Sequence, residues 1–339
     1  MAVDNLVGTA DVAKVQSIDF ANQFGNGISK LLEAMGVVRK IPLAEGMIIK
    51  TYKSVNDINT SAVGEGELIP LSEVSRVIDK TEELVLDKKR KAVSGEAIQR
   101  SGVANAVTET DNILLKELQK LIKVSLFTFL AGGTGSSYGV GLQQTMAKAW
   151  GQVQTLFEDD GAAVVVFVNP LDAADYIGSA NITTQTAFGM TFISGFAGVS
   201  IVVSGNVPVG KLYATAVENL VYAYVPMQNS TLANTFNLTT DETGYIGVVH
   251  TNATNSLTVE TLAVSGSKLF AERTDGLVEL DIVTSAVDTA IKAAIVLVEE
   301  AEESDLTADK TAAQTAVTNL PAVNIKAVLQ ARVTAIVVS

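Results

Sequence analysis

The longest regular pattern in the chain spans residues 108–131. Leu114, Leu118, Leu121 or Ile122, Ser125 and Phe129 return there every three to four residues, the period of one apolar helix face. Thr108 and Asp111 are spaced as a capping pair, and Glu109 and Asp111 suit the positive end of a helix dipole. Gly132-Gly133 ends the pattern, because glycine enters a left-handed cap without a Cβ clash. At about 1.5 Å per residue the helix is roughly 36 Å long, enough to act as the spine of a domain. Its first half is charged (Lys116, Glu117, Lys120, Lys123) and its second half is apolar nearly all round. The pattern predicts a rod half exposed and half sunk in packed sheet.

Ahead of this spine, Phe20, Phe24, Ile28, Leu31, Leu32 and Met35 make a helical stripe, interrupted by Gly25 and Gly27 and closed by Gly36. It reads equally as a core helix and as an arm that packs on a neighbour. MIIKTYKSV predicts a strand and EELVLDKKRKAVS its partner, with a polar, glycine-punctuated tip between them. A hairpin that long needs another surface to lie on, since isolated hairpins are marginal in water.

Behind the spine, AGGTGSSYGVG predicts a flexible hinge, and residues 140–250 predict one compact unit. MAKAWGQVQTLFEDDG reads as an amphipathic helix ended by Gly161, and AAVVVFV as a buried strand. Asn169-Pro170 turns into the helix LDAADYIG, and further strands follow in VSIVVSGNVPVGKLYATA and ENLVYAYVP. Residues 256–283 hold two β-like segments around Arg273, Asp275 and Gly276. From Ser285 onward the chain predicts three Ala-rich helices near 286–303, 307–320 and 323–337, the second stopped by Pro321. They read as a small bundle separate from the main body.

Composition narrows the chemistry. Hydrophobic residues are 47% and aromatics 6%, so the core is built from Val, Ala and Leu. The absence of cysteine excludes disulfides, thiolate metal sites and cysteine nucleophiles. His250 is the single histidine, and no acidic cluster has calcium-loop spacing, so no metal or cofactor is predicted. Ser125 and Thr128 interrupt the best apolar run, which argues against a membrane-spanning helix. The first residues carry no basic-then-apolar signal, which makes Asn181-Ile-Thr183 an accident of composition rather than a glycosylation site.

The net charge of −13 is unevenly spread. Residues 1–150 hold 17 bases and 17 acids, whereas residues 151–260 hold nine acids and the single base Lys211. An acidic chain does not neutralise phosphate, so nucleic-acid recognition is disfavoured. A balanced arm and an acidic body can instead pair between copies. The run Lys88-Lys89-Arg90-Lys91 has two readings on that view. It is either a strand edge protected by charge or an inter-subunit contact with the acidic body of an adjacent copy.

Gly135-x-Ser137-x-Gly139 matches a hydrolase nucleophile elbow, and Asp241 or Glu242 and then His250 follow in the right order. The elbow must follow a strand and open a helix, whereas this segment follows a helix, so a loop is the simpler reading. No Gly-Lys-Ser/Thr or GxGxxG pattern follows a predicted strand. Trp150, Tyr213, Tyr222 and Tyr224 read as core or interface anchors, and His250 as a structural histidine at a strand edge.

Over roughly residues 1–283 the order of parts resembles the major capsid proteins of tailed bacteriophages, which share the Hong Kong 97 capsid fold. The most specific words are FVNPLDAADYIG at 167–178 and LFAERTDGLVELDI at 269–282. The resemblance implies an α+β fold with an N-terminal arm (1–46) and an extended β-hairpin loop (47–100). A peripheral domain carrying the spine helix (101–139 and 251–283) and an apical domain (140–250) would follow, with 284–339 as an added three-helix domain. It also implies a structural rather than enzymatic role: a subunit that self-assembles through pentamers and hexamers into the icosahedral head of a virion, in the host cytoplasm. The implied partners are a portal, packaged double-stranded DNA and, since no fused scaffolding segment precedes the arm, a separate scaffolding protein; no membrane is involved. An encapsulin-like compartment shell is the alternative within the same fold, and a serine hydrolase using Ser137 and His250 the alternative outside it.

Overall fold

The computed structural model describes residues 9–37, 39–57, 71–157, 162–179, 184–187, 190–196, 199–304 and 306–337. Helix α1 (Thr9–Ala34) leads to strands β1 (Lys40–Pro42), β2 (Ile48–Asp57), β3 (Glu73–Glu83) and β4 (Asp87–Ser94). Helix α2 (Gly95–Val103), a π-helical turn (Ala104–Thr108) and the long α3 (Glu109–Leu130) come next. After them run β5 (Thr134–Val140), α4 (Gly141–Leu156), β6 (Val164–Val168), α5 (Pro170–Ser179), β7 (Thr184–Ala187), β8 (Met190–Phe196), β9 (Val199–Val203) and β10 (Lys211–Ala216). Strand β11 (Leu220–Tyr224), α6 (Thr231–Phe236), β12 (Ile246–Ala253), β13 (Thr258–Ser265), β14 (Ser267–Ala271) and β15 (Val278–Val283) lead to α7 (Ser285–Ser304), α8 (Thr307–Asn319) and α9 (Asn324–Ala335). The middle of the hairpin tip (58–70), Gly161 and the Asn181-Ile-Thr183 triplet lie outside the described residues.

Two compact units divide the chain. One draws on Met1–Tyr52, Arg76–Thr128 and Leu220–Glu272, the other on Lys53–Ser75, Phe129–Asn219 and Arg273–Ser339. The division differs from a single block at 140–250. Strand β11 pairs with β1 and β14, and β12 pairs with β13, which takes residues 220–253 into the first unit.

In the first unit α1 is a core helix. Phe20, Phe24, Ile28, Leu31, Leu32 and Met35 are all buried, which settles the two readings of its stripe. The glycines do not break it. Gly25 instead lets the Asp241 carboxylate lie against the helix backbone, where a Cβ would meet it. A three-stranded sheet orders β1-β11-β14, with β1 parallel to β11, and Tyr222, Tyr224 and Tyr245 pack ring on ring beside it. A second sheet orders β12-β13-β4 and is antiparallel throughout.

The spine helix forms where its period predicts, with its apolar face turned by about one residue. Leu115, Leu118, Ile122, Leu126 and Phe129 are buried, and Leu121 is exposed. The hairpin departs further from expectation. The partner of β2 is β3, which begins within the segment expected to be the tip, and DKKRKAVS is β4 of the other sheet.

The second unit is built on a seven-stranded sheet of order β5-β15-β10-β6-β9-β8-β7. Every residue of β6 is buried, and α4 covers the sheet with Leu142, Met146, Ala149 and Val153. Trp150 lies on the outer side of that helix, while Tyr213 is buried. Asn169 makes the turn into α5: its Oδ1 accepts from Leu171 N–H at 2.9 Å and its Nδ2 donates to Val207 O at 2.6 Å. The second specific word closes another turn. Asn219 accepts from Arg273 N–H at 2.7 Å and donates to Arg273 O at 3.0 Å, while Thr215 donates to Gly276 O at 2.9 Å.

The glycine-rich segment after the spine is the edge strand β5, parallel to β15, not a hinge. Its glycine serves close approach. A Cβ on Gly139 would stand 2.6 Å from the backbone of Thr145, in the first turn of α4. The C-terminal helices form as expected but not as a separate body. Ile291, Val298, Val317, Leu329 and Val333 share one apolar cluster with Tyr138 of β5 and Val283 of β15.

Because the obstacle at Gly139 is backbone, Gly139→Ala should destabilise the protein by about 1–3 kcal/mol in urea unfolding. Gly151→Ala on α4, where an added Cβ meets nothing within 4 Å, should be neutral or stabilise by up to about 1 kcal/mol. A flexible hinge at 139 would reverse the order of the two.

Candidate functional site

The residues singled out by sequence fall on β4, β5 and β12. In the β12-β13-β4 sheet His250 stands opposite Thr261, and Thr261 opposite Lys91, so the three form one row across three strands. Asp111, in the first turn of α3, meets that row. Its Oδ1 accepts from Thr261 Oγ1 at 2.9 Å and lies 2.8 Å from Lys91 Nζ; its Oδ2 is 3.0 Å from His250 Nε2. The other ring nitrogen, Nδ1, is 2.6 Å from Ser17 Oγ on α1. With the imidazole proton on Nε2 and the serine hydroxyl donating to Nδ1, every contact has a donor and an acceptor. Lys91 Nζ also donates to Val107 O at 2.8 Å and meets Thr110 Oγ1, which ties down a carbonyl of the π-helical turn.

Burial alone would raise the Asp111 carboxyl, but hydrogen bonds from His250 and Lys91 together with the Lys91 charge overcome it and hold the group below the usual carboxylate range. Burial pulls Lys91 below the ordinary lysine value, and Asp111 offsets only part of that. Ser17, Asp111 and His250 are all buried. The Ser–His–Asp chain is therefore closed to substrate, and its ring contacts are the reverse of a hydrolytic triad, in which the acid holds Nδ1.

Ser137 is inside β5, opposite Leu280 of β15. A strand does precede α4, contrary to the reading of the segment as a loop, yet the serine is in mid-strand rather than at the strand-to-helix turn that an elbow requires. Both nitrogens of His250 are occupied by Ser17 and Asp111, so the ring has none left to activate Ser137. Among the described residues no group of three or more side chains could hold a metal ion, and no helix is long and apolar enough to cross a membrane.

The basic run divides along the alternation of its strand. Lys91 faces the Asp111 cluster, whereas Lys88 is exposed, Arg90 pairs with Glu260 at 2.5 Å and Lys89 with Asp87 at 2.8 Å. Strand β4 is an edge of its sheet. The β2–β3 hairpin presents an apolar surface: Leu71 is 97% exposed, Val74 69%, Val77 53% and Ile78 46%. Sequence reasoning missed Asp111, which looked like a helix cap, and Ser17 and Thr261 altogether. Its partners lie 139 and 150 residues away, beyond any local spacing signal.

No family model and no curated protein sequence matches the chain. Solved structures do match it. The chain is similar to the capsid of an empty GTA particle, at 10% identity over 84% of this chain and 95% of that one, with a TM-score of 0.47. It is similar to a structure from Mycobacterium phage Patience at 10% identity, with 84% and 95% covered and a TM-score of 0.45. It is also similar to the SrpI encapsulin complex from Synechococcus elongatus, at 15% identity, 74% and 86% covered and a TM-score of 0.47.

Removing the Asp111 charge leaves Lys91 buried without its partner, so Asp111→Asn should cost on the order of 3 kcal/mol at pH 7. The folded carboxyl binds its proton less tightly than the unfolded one. Its contribution is therefore complete above the ordinary carboxylate pKa of about 4 and is lost as pH falls through the folded value. Urea unfolding of both proteins as a function of pH should show the gap between them narrowing in acid. A gap that widened there would contradict the assignment.

Proposed function

We propose that the chain is a structural subunit of a closed protein shell, the major capsid protein of a tailed-phage head with a Hong Kong 97-type architecture. The observation that carries this reading is the β2–β3 hairpin. Leu71, Val74, Val77 and Ile78 of this hairpin are exposed, and among the described residues none covers them. Val74 and Ile78 share one face of the ribbon and Val77 lies on the other; a two-stranded ribbon has no second layer to bury either, so another copy of the chain supplies it. Lys88 and Arg90 on the exposed edge of β4 provide the charged part of the contact, toward the acidic segments of a neighbour.

In this reading the subunits close into pentamers and hexamers. The β2–β3 hairpin (48–83) is then the extended loop, the seven-stranded sheet the apical domain, and the helices of 285–335 an addition that packs on that sheet. A scaffolding protein, a portal and non-specifically packaged double-stranded DNA are the partners such a head calls for, and assembly takes place in the host cytoplasm. Each interface is of ordinary size, yet every copy makes several, so stability accumulates over the shell.

The test is a pair of charges on one hairpin face. Val74→Asp with Ile78→Asp should leave subunit unfolding within about 0.5 kcal/mol of the parent, because both sites are exposed. The same protein should give no closed particles in negative-stain micrographs. Particles in normal yield would overturn the reading. Raising ionic strength from roughly 0.05 to 0.5 M should weaken assembly, and Lys88→Gln with Arg90→Gln should flatten that dependence.

A further inference from the structure

Where the C-terminal helices meet the sheet, four polar side chains converge. Lys211 opens β10, Glu279 and Asp281 lie on β15, and Asn324 is the first residue of α9. Lys211 Nζ is 2.8 Å from Glu279 Oε1 and 2.7 Å from Asp281 Oδ1, and it donates to Asn324 Oδ1 at 2.9 Å. Asn324 Nδ2 donates to the same Glu279 oxygen at 3.1 Å. Asp281, 3% exposed, also accepts the backbone N–H of Asn324, which no side chain of α9's own N-cap residue serves. An amine and a carboxamide are thus held in contact, and one carboxylate oxygen touches both nitrogens. Amide transfer needs these three groups in this relation.

We infer that Lys211 and Asn324 become joined by an intramolecular isopeptide bond, with Glu279 as the catalytic residue and Asp281 as a positioning residue. The ammonium first passes a proton to Glu279, and the free amine attacks Asn324 Cγ. The Nζ–Cγ bond forms, the Cγ–Nδ2 bond breaks, and the two protons that leave Nζ are relayed through Glu279 to Nδ2, which departs as ammonium. Glu279 ends as the carboxylate it began, and no oxidant, metal or other reactant is consumed. Burial favours the neutral amine that must attack, but hydrogen bonds and charge from Asp281 and Glu279 outweigh it and keep Lys211 protonated above the usual lysine range. Proton transfer to Glu279 is therefore the slow event, and the bond accumulates after folding. The product ties β10 to α9 across 113 residues, so the terminal helices cannot peel from the sheet. This inference does not depend on the shell reading.

Intact mass spectrometry of the full-length protein, aged at neutral to mildly alkaline pH, tests it. The expected mass is lower than the sequence mass by one ammonia, and proteolysis should release a branched peptide joining Lys211 to Asn324. Glu279→Gln and Lys211→Arg should each keep their full sequence mass, and Asn324→Asp should lose one water instead. If a variant fails to fold, the branched peptide of the parent protein decides alone. A parent at full sequence mass would overturn the inference. So would an ammonia loss without the branched peptide, which marks an asparagine cyclised to succinimide.

Discussion

A carboxylate taken out of water must be given donors on every side, and Asp111 receives them from three strands, with a fourth part of the chain behind one of them. Thr261 and His250 come from two neighbouring strands, Lys91 from a third, and Ser17 reaches the cluster through the imidazole. A buried ion pair adds little net stability over a well-packed apolar core, but breaking it by removing one partner is costly. The cluster therefore acts as a register device. One residue of slip in β4 would carry Lys91 away from Asp111, and in the direction that brings Ala92 there it would leave the acid without its cation. The same constraint fixes where α3 begins, because Lys91 also holds the carbonyl of Val107 in the turn that precedes it.

The second unit solves the matching problem with apolar layers and polar clamps at its turns. Strand β6 is Val-Val-Val-Phe-Val, buried on both faces, and such a strand says nothing about which neighbours it takes. The information sits where the chain turns. Asn169 binds the chain just after β9, and Asn219 grips Arg273 by both main-chain groups. Gly276 leaves room for the Phe157 ring, over which Arg273 lies at 4.8 Å. The two most specific stretches of sequence are thus turn chemistry. That explains why they carry a fold resemblance.

Element type was legible wherever one face of a helix or a run of β-branched residues repeated long enough. The spine, α4, β6 and the three terminal helices all fall within a few residues of their predicted places. Pairing was not legible. EELVLDKKRKAVS reads as the return strand of the hairpin, yet β3 is EVSRVIDKTEE, whose apolar residues face both ways. A strand buried on neither face has no reason to alternate, so its sequence looks like loop. The glycines after the spine misled in the opposite direction. They looked like freedom, but Gly139 marks a place where α4 comes too close for any side chain. Asp111 was visible only as a cap, since propensity is local and its partners are not.

The contrast between α1 and the hairpin is what makes an unfinished subunit a physical statement rather than an impression. Both looked from sequence as though they needed a partner. A helix of 26 residues can turn one face inward and bury five large side chains, and α1 does so. The hairpin cannot, because two strands bury an apolar face only against another layer, and its valines and Ile78 remain in water. An exposed ribbon of β-branched residues invites pairing with another chain, so a covering layer removes both the wetted apolar surface and the open edge. In the proposed shell a neighbouring copy supplies that layer, so each subunit both needs a cover and provides one.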